Sequence, residues 1–266
     1  MPVNLLSSFD PTTPRWPSAM EIDEIDEINE ARAIRTTFEW LTAPRALEFG
    51  DLLSAMQERI VELQARPGEG SVMFAEIPRC LTIGRDGQRE DIRLSDRDLA
   101  SLRLPVHYVA RGGGTMLHLP GQIAMYPLLP IAAWSIAPGD YVRRLADVAL
   151  ETLREFDAPA ELDDGVKLHV HGRRIAHLGV AVDSRSTGFG LLLNVNPDLR
   201  LFRGIRVDGD ADPMTSLARE TIYRIDPDRI RQRLLDRLAD AFSLRRQPLH
   251  YHRPWTFLPV ARHAFA

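Results

Sequence analysis

A chain of 266 residues, 44% of them hydrophobic, can build one sizeable core, and its length would also admit two domains. A net charge of −4 argues against a broad nucleic-acid surface, so the pairs Arg143–Arg144, Arg173–Arg174 and Arg245–Arg246 read as solvated face. One cysteine, Cys80, excludes an internal disulfide framework and any cysteine-built zinc site.

The start, Met1-Pro2-Val3-Asn4-Leu5-Leu6, has neither the basic flank nor the apolar core of a secretory signal, and no apolar run nears the ~20 residues that span a bilayer. A cytoplasmic protein with no membrane or nucleic-acid partner is expected. Residues 1–37 read as an extension. Its first part is a loose tail rich in Pro, Ser and Thr. An acidic helix follows, with Ser18 and Glu21 at capping-box spacing and Ile22, Ile25 and Ile28 on one face.

The main body is expected over 38–246, with 247–266 as a C-terminal tail. Phe49, Leu52, Leu53, Met56, Ile60 and Leu63 form an apolar stripe at helical spacing, closed by Pro67-Gly68-Glu69-Gly70. Strand-like runs follow at 71–76, 80–83, 106–109 and 122–126. A second helix is predicted from an Asp140 cap, burying Val142, Leu145, Val148, Ala149, Leu153 and Phe156. Val166, Leu168 and Val170 alternate with Lys167, His169 and His171. After Gly172, Ala176, Leu178, Val180 and Val182 do the same, which predicts a β-hairpin with one buried face. Another strand is read at 189–195. Asp226-Pro227-Asp228 then opens a helix that buries Ile230, Leu234, Leu235, Leu238 and Phe242. Strands grouped around a few helices, without βαβ alternation, predict an α+β domain with mixed or antiparallel sheets.

Arg111-Gly112-Gly113-Gly114-Thr115-Met116-Leu117-His118-Leu119-Pro120-Gly121-Gln122 carries the most chemistry. Three glycines let backbone approach a ligand closely, and their amides can donate to a carbonyl or phosphate oxygen. This segment resembles the R-G-G-x-x-x-x-H-x-P-G-Q signature of lipoyl(octanoyl) transferases, in the lipoate/biotin protein ligase superfamily. Three further blocks occur in the family's order. Thr82-Ile83-Gly84 is similar to its T-x-G strand end. Gly172-Arg173-Arg174-Ile175-Ala176-His177-Leu178-Gly179 resembles G-x-K-I-A-x-[IL]-G, and Gly190 through Leu199 resembles G-L-A-L-N-V-N-x-D-L.

The resemblance implies a lipoate/biotin ligase catalytic-domain fold and transfer of an octanoyl group through a cysteine thioester. The donor would be octanoyl-acyl carrier protein, and the acceptor a lysine of lipoyl domains in 2-oxoacid dehydrogenase or glycine-cleavage proteins, with no cofactor or metal. It also implies an acyl pocket lined by Arg111, Gly112, Gly113, Gly114, Thr115, Met116, Leu117, His118, His177, Leu178, Gly179, Phe189, Gly190 and Leu191.

The chain departs from the family pattern at both chemical positions. Arg174 stands where the family has its lysine, and a gap-free register from Gly190 places Asp208 where it has the cysteine. Phe189 replaces a histidine and Leu119 a glycine. Cys80 lies in an early apolar strand and reads as a core residue. Asp208 and Arg174 are therefore the candidate catalytic positions, an opposite-charge pair that could pin a loop, with His118 as a polar helper near the carbonyl. Three functions follow: a transferase in which the target lysine attacks the thioester directly, a binding pseudoenzyme without turnover, or an ATP-dependent ligase. His169, His171 and His177 read as exposed strand histidines, not a metal site.

Overall fold

The computed structural model describes residues 38–42, 48–66, 69–132, 134–182 and 186–244, and all of them fall within one unit, Arg35–Ala266. The predicted acidic helix and both tails lie outside the described residues.

Two sheets organise the body. The larger has seven strands in the order β1 (Phe38–Thr42), β2 (Gly70–Ala75), β6 (Gln122–Leu128), β10 (Thr187–Asn194), β9 (Arg173–Val182), β8 (Lys167–Val170) and β7 (Ala160–Asp163). Only β1 and β2 run parallel in it. The smaller sheet sets β3 (Cys80–Ile83) between β4 (Val106–Tyr108), which is parallel to it, and β5 (Thr115–His118), which is antiparallel. The fold is α+β with mixed sheets.

Period-two alternation distributes the large sheet's side chains between two cores. Val72, Phe74, Ile123, Met125, Leu191 and Leu193 share one face's core with helices α3 (Pro138–Glu155), the short α4 (Leu217–Glu220) and α5 (Pro227–Ala241). Met73, Ala75, Ala124, Tyr126 and Leu192 meet α1 (Phe49–Gln64) on the other. Both faces are covered, so these central strands are apolar throughout rather than alternating with polar residues. At about 1.5–3 kcal/mol per fully buried large aliphatic side chain, these two faces supply much of the fold's driving force. A third core joins the small sheet to α2 (Asp96–Leu102) and the 3-10 turn at Leu199–Gly204.

The α1 stripe is buried except for Leu53, which is half-buried. The second long helix starts two residues before Asp140. Ala137 is its cap and Pro138 its first residue, because proline's fixed φ suits a position whose N–H needs no helical partner. Asp140 instead sits in the first turn, favourably placed against the helix dipole. Asp226 caps α5 and accepts from the Asp228 amide.

Sequence reading misses α2 because its seven residues bury only Leu99, so no stripe exists to detect; a Ser95/Asp98 capping box starts it. It also misses β7, whose four residues include a single fully buried one, Ala160.

Candidate active site

The glycine block spans a loop and the strand β5. Gly114 must be glycine, since a Cβ there would fall 2.7 Å from the Asp208 Cα. The loop holding Asp208 is a tight turn, Val207 to Asp210, closed by the Asp210 amide on the Val207 carbonyl. Asp208 and Gly209 both have positive φ (53° and 76°), the pattern that Asp-Gly pairs favour in two-residue reversals. The turn is docked onto β5 and the glycine loop. Asp208 donates its amide to the Thr115 carbonyl at 2.9 Å, and its Oδ1 accepts from the Gly114 amide at 2.9 Å.

Arg174, on β9, anchors the other side. Its guanidinium donates to Asp208 Oδ2 at 2.9 Å and Asp210 Oδ2 at 2.8 Å, and lies 3.3 Å from Asp212 Oδ2, with the side chain only 2% exposed. The arginine fork can hold several carboxylates at fixed geometry, which one ammonium cannot. Burial pushes the Asp208 carboxyl above the ordinary range, while Arg174, the Gly114 amide and Arg111 pull it back. His177 completes the cluster, with Nδ1 3.9 Å from Asp208 Oδ2 and its ring stacked on Phe202. Neither of its ring nitrogens has a hydrogen-bond partner among the described residues. Burial first, then the neighbouring Arg174, hold its pKa well below the usual histidine value, so it is neutral at pH 7.

These groups line a cavity of about 350 Å³. Val142, Val166, Ala176, Leu178 and Val180 form apolar walls; Asp86, Lys167, Arg174, His177 and Asp208 make it polar, and Gly112–Gly114 form an edge. A largely apolar cavity with a few convergent polar groups is a common plan for a small-ligand site.

Of the residues assigned to a pocket from sequence, Gly112, Gly113, Gly114, His177, Leu178, Arg174 and Asp208 line this cavity. The others sit elsewhere. Arg111 turns inward, donating to Thr82 Oγ1 at 2.7 Å, the Thr82 carbonyl at 3.2 Å and the Gly112 carbonyl at 3.0 Å. His118 packs against Phe49 and bonds Thr82 Oγ1 at 3.0 Å, so the expected helper does not face the cavity. Arginine only donates, so the Thr82 hydroxyl accepts from Arg111, while the direction of its bond to His118 Nε2 follows the imidazole tautomer. Burial, with Arg111 nearby, lowers the His118 pKa to about 3.

Thr115 bonds Asp91, Leu117 packs in the small sheet's core, and Met116 is buried against Gly179 and Arg111. Leu191 belongs to the core under α3, Gly190 lies against Met125, and Phe189 packs edge-on to Tyr126 beside α1.

The glycine amides are not free donors. Gly112 bonds the Val180 carbonyl at 2.8 Å, Gly113 bonds Asp86 Oδ2 at 2.9 Å, and Gly114 bonds Asp208. The expectation of exposed strand histidines also needs correction. His169 is half-buried on Asp212 and His171 is exposed beside Glu220, but His177 is fully buried because β9 is covered on that face too. Among the described residues no group of three or more His, Cys, Asp or Glu is arranged to hold a metal. Cys80 is 2% exposed in the α1 core, and burial pushes its thiol up to about 12, so it holds no thiolate at neutral pH.

Residues 53–239 match the family model of the lipoyl protein ligase A/B catalytic domain. The chain belongs to this family. An octanoyltransferase of Xanthomonas axonopodis pv. citri is 31% identical over 202 residues, covering 76% of this chain and 84% of that protein. One from Bacteroides thetaiotaomicron is 28% identical over 193 residues, covering 70% and 85%. These relatives place the chain among the octanoyltransferases of the family. The fold matches a lipoate-protein ligase A crystallised with ATP (TM-score 0.63, 13% identity, 79% of this chain and 89% of that one). It also matches the bipartite lipoate protein ligase of Thermoplasma acidophilum (TM-score 0.61, 12% identity, 80% and 87%). Among the described residues no helix is long and apolar enough to cross a membrane.

The residue that sequence reading passed over is Lys167, which lines the cavity from β8. A signal was available: it is the single lysine in the chain, and every other one of the 33 Lys and Arg residues is arginine.

Proposed function

We propose that the chain transfers an octanoyl group from a carrier-protein thioester to the ε-amine of a lipoyl-domain lysine, by direct attack of that amine. The observation that carries this reading is the largely apolar cavity that Asp208, Arg174 and His177 line together. The walls suit a short acyl chain, and the Asp208 carboxylate attracts an incoming ammonium. The ammonium first gives one proton to solvent; the amine nitrogen then bonds to the acyl carbon and the carbon–sulfur bond breaks. Asp208 takes the amine proton and the departing thiolate receives it, so no covalent enzyme intermediate is needed. Positioning supplies most of the rate in such a scheme. A carboxylate nucleophile is the poorer route, since an anhydride formed from a thioester lies uphill.

A groove of about 410 Å³ supports a negatively charged partner, taken here to be the acyl carrier protein or the lipoyl domain. Exposed Arg93, Arg203, Arg206 and Arg219 surround it, and it reaches Asp212, which faces Arg174. Complementary charge steers such encounters and fixes their register.

The test mixes the full chain with octanoyl-acyl carrier protein and an apo lipoyl domain, with and without ATP, and reads intact masses. The expected result is an octanoylated domain without ATP, lost in Asp208→Ala. A product that requires ATP would move the reading to a ligase. Saturable binding with no product would make the chain a binding protein.

A further inference from the structure

We propose that Lys167 is the group that binds the acyl carbonyl oxygen in this cavity and holds the negative charge that develops there. This rests on the transfer reading above and names a residue for it.

An acyl transfer needs a donor for the oxyanion of its tetrahedral intermediate, and preorganised donors in a water-poor site are among the largest catalytic effects. The amides expected to do this are occupied, as Gly112, Gly113 and Gly114 each already bond a protein oxygen. Arg174 has both terminal nitrogens on carboxylates, and its one unpartnered donor, Nε, is buried. Arg111 points away, into Thr82. Two cavity-lining groups keep spare capacity. His177 is neutral and fully buried, offering one N–H and no charge.

Lys167 is the other, with its side chain 32% exposed. Its Nζ meets Asp210 Oδ2 at 3.0 Å and Asp164 Oδ2 at a looser 3.6 Å, and an ammonium has three N–H bonds to give. Asp210 is shared with Arg174, so the ammonium is tethered to the same acidic turn that carries Asp208. The hydrogen bond that Lys167 donates to Asp210 keeps it protonated, and Asp164 adds to that; burial and Arg174 oppose it. A protonated amine is a cation and not a nucleophile, which protects the only lysine of the chain from acylation by the bound thioester.

Division of labour follows. Arg174 is structural to the carboxylate cluster, while Lys167 is charged, partly exposed and lines the cavity. No covalent bond to Lys167 forms or breaks; it lends a hydrogen bond as the carbonyl becomes an oxyanion and recovers it when the thiolate leaves.

A single lysine permits a direct readout, because [13C]-lysine labelling of the full chain yields one Cε signal. The labelled protein is titrated with S-octanoyl-pantetheine and, separately, with the S-octyl thioether, which has the same chain and no carbonyl. Calorimetry measures both affinities. The expected result is that both ligands bind, only the octanoyl compound shifts the Lys167 Cε signal, and Lys167→Met weakens the octanoyl compound roughly tenfold or more while sparing the thioether. Lys167→Arg should recover most of that affinity.

If both ligands bind and neither moves the signal, the proposal falls while the transfer reading stands. If neither compound binds the wild-type chain, the transfer reading falls and takes this proposal with it. A stable octanoyl adduct on Lys167, seen by intact mass, would make it a nucleophile and overturn the assignment. Should Lys167→Met not fold, the two titrations of the wild-type protein still decide between these outcomes.

Discussion

Two buried arginines stand on either side of the glycine loop and do opposite things with their charge. Arg111 is 2% exposed and donates only to neutral oxygens, from Thr82 and the Gly112 backbone. Arg174 is 1% exposed and faces three carboxylates, those of Asp208, Asp210 and Asp212. The first straps the loop to the small sheet. The second holds together an acidic cluster that would otherwise repel itself, and sets that cluster beside a cavity. A buried arginine with neutral partners is a strut; one with three carboxylates organises a charged site.

Replacing Arg174 tests the contrast most severely. Arg174→Met leaves three neighbouring carboxylates without their cation, and breaking a buried pair in this way costs about 3–5 kcal/mol. Urea denaturation should register a loss of that size, and Arg174→Lys should recover only part of it, since one ammonium cannot span the three acids. Arg111→Met should cost less, about 1–3 kcal/mol, because it leaves neutral acceptors unsatisfied rather than charges unpaired. The comparison breaks if Arg111→Met proves the more damaging change.

Acid should act through the histidines beside the two arginines. Both His118 and His177 have folded-state pKa values below the unfolded value of 6.5, His118 at about 3. Below pH 6.5 the unfolded chain therefore binds protons that the folded chain refuses. Their contribution is complete above 6.5 and is lost as pH falls, for His118 down to about 3. Each can steepen the loss by up to about 1.4 kcal/mol per pH unit. Denaturation midpoints between pH 7 and 5 should fall more gently in His118→Gln than in wild type.

Cys80→Ala is the mildest change. The thiol is a small packed group with no part in the cavity, so stability should drop by about 1 kcal/mol and octanoyl transfer should be unaffected. Loss of transfer in a folded Cys80→Ala protein would restore a thioester route.

Much of the fold was legible because it is written in periodicity. The α1 and α5 stripes, the β8–β9 hairpin and the central apolar strands announce themselves by which residues must be buried. Among the elements that escaped, α2 and β7 are short and bury one large side chain or none, so no period exists to read. The site was legible to a lesser degree. Spacing and resemblance singled out Arg174 and Asp208, 34 residues apart, and the structure puts them 2.9 Å from each other.

Sequence by itself determined the α+β class and the family, and it singled out Arg174 and Asp208 as residues of opposite charge. Tertiary structure alone decided which groups face the cavity. His118 and His177 look alike in the sequence, yet one bonds Thr82 beside α1 and the other meets Asp208. The glycine amides look available, yet all three are used. Lys167 looks like a strand-face residue until the acidic turn folds against it. The reason is physical: burial and strand period are local properties, but whether a donor is free depends on every element packed around it.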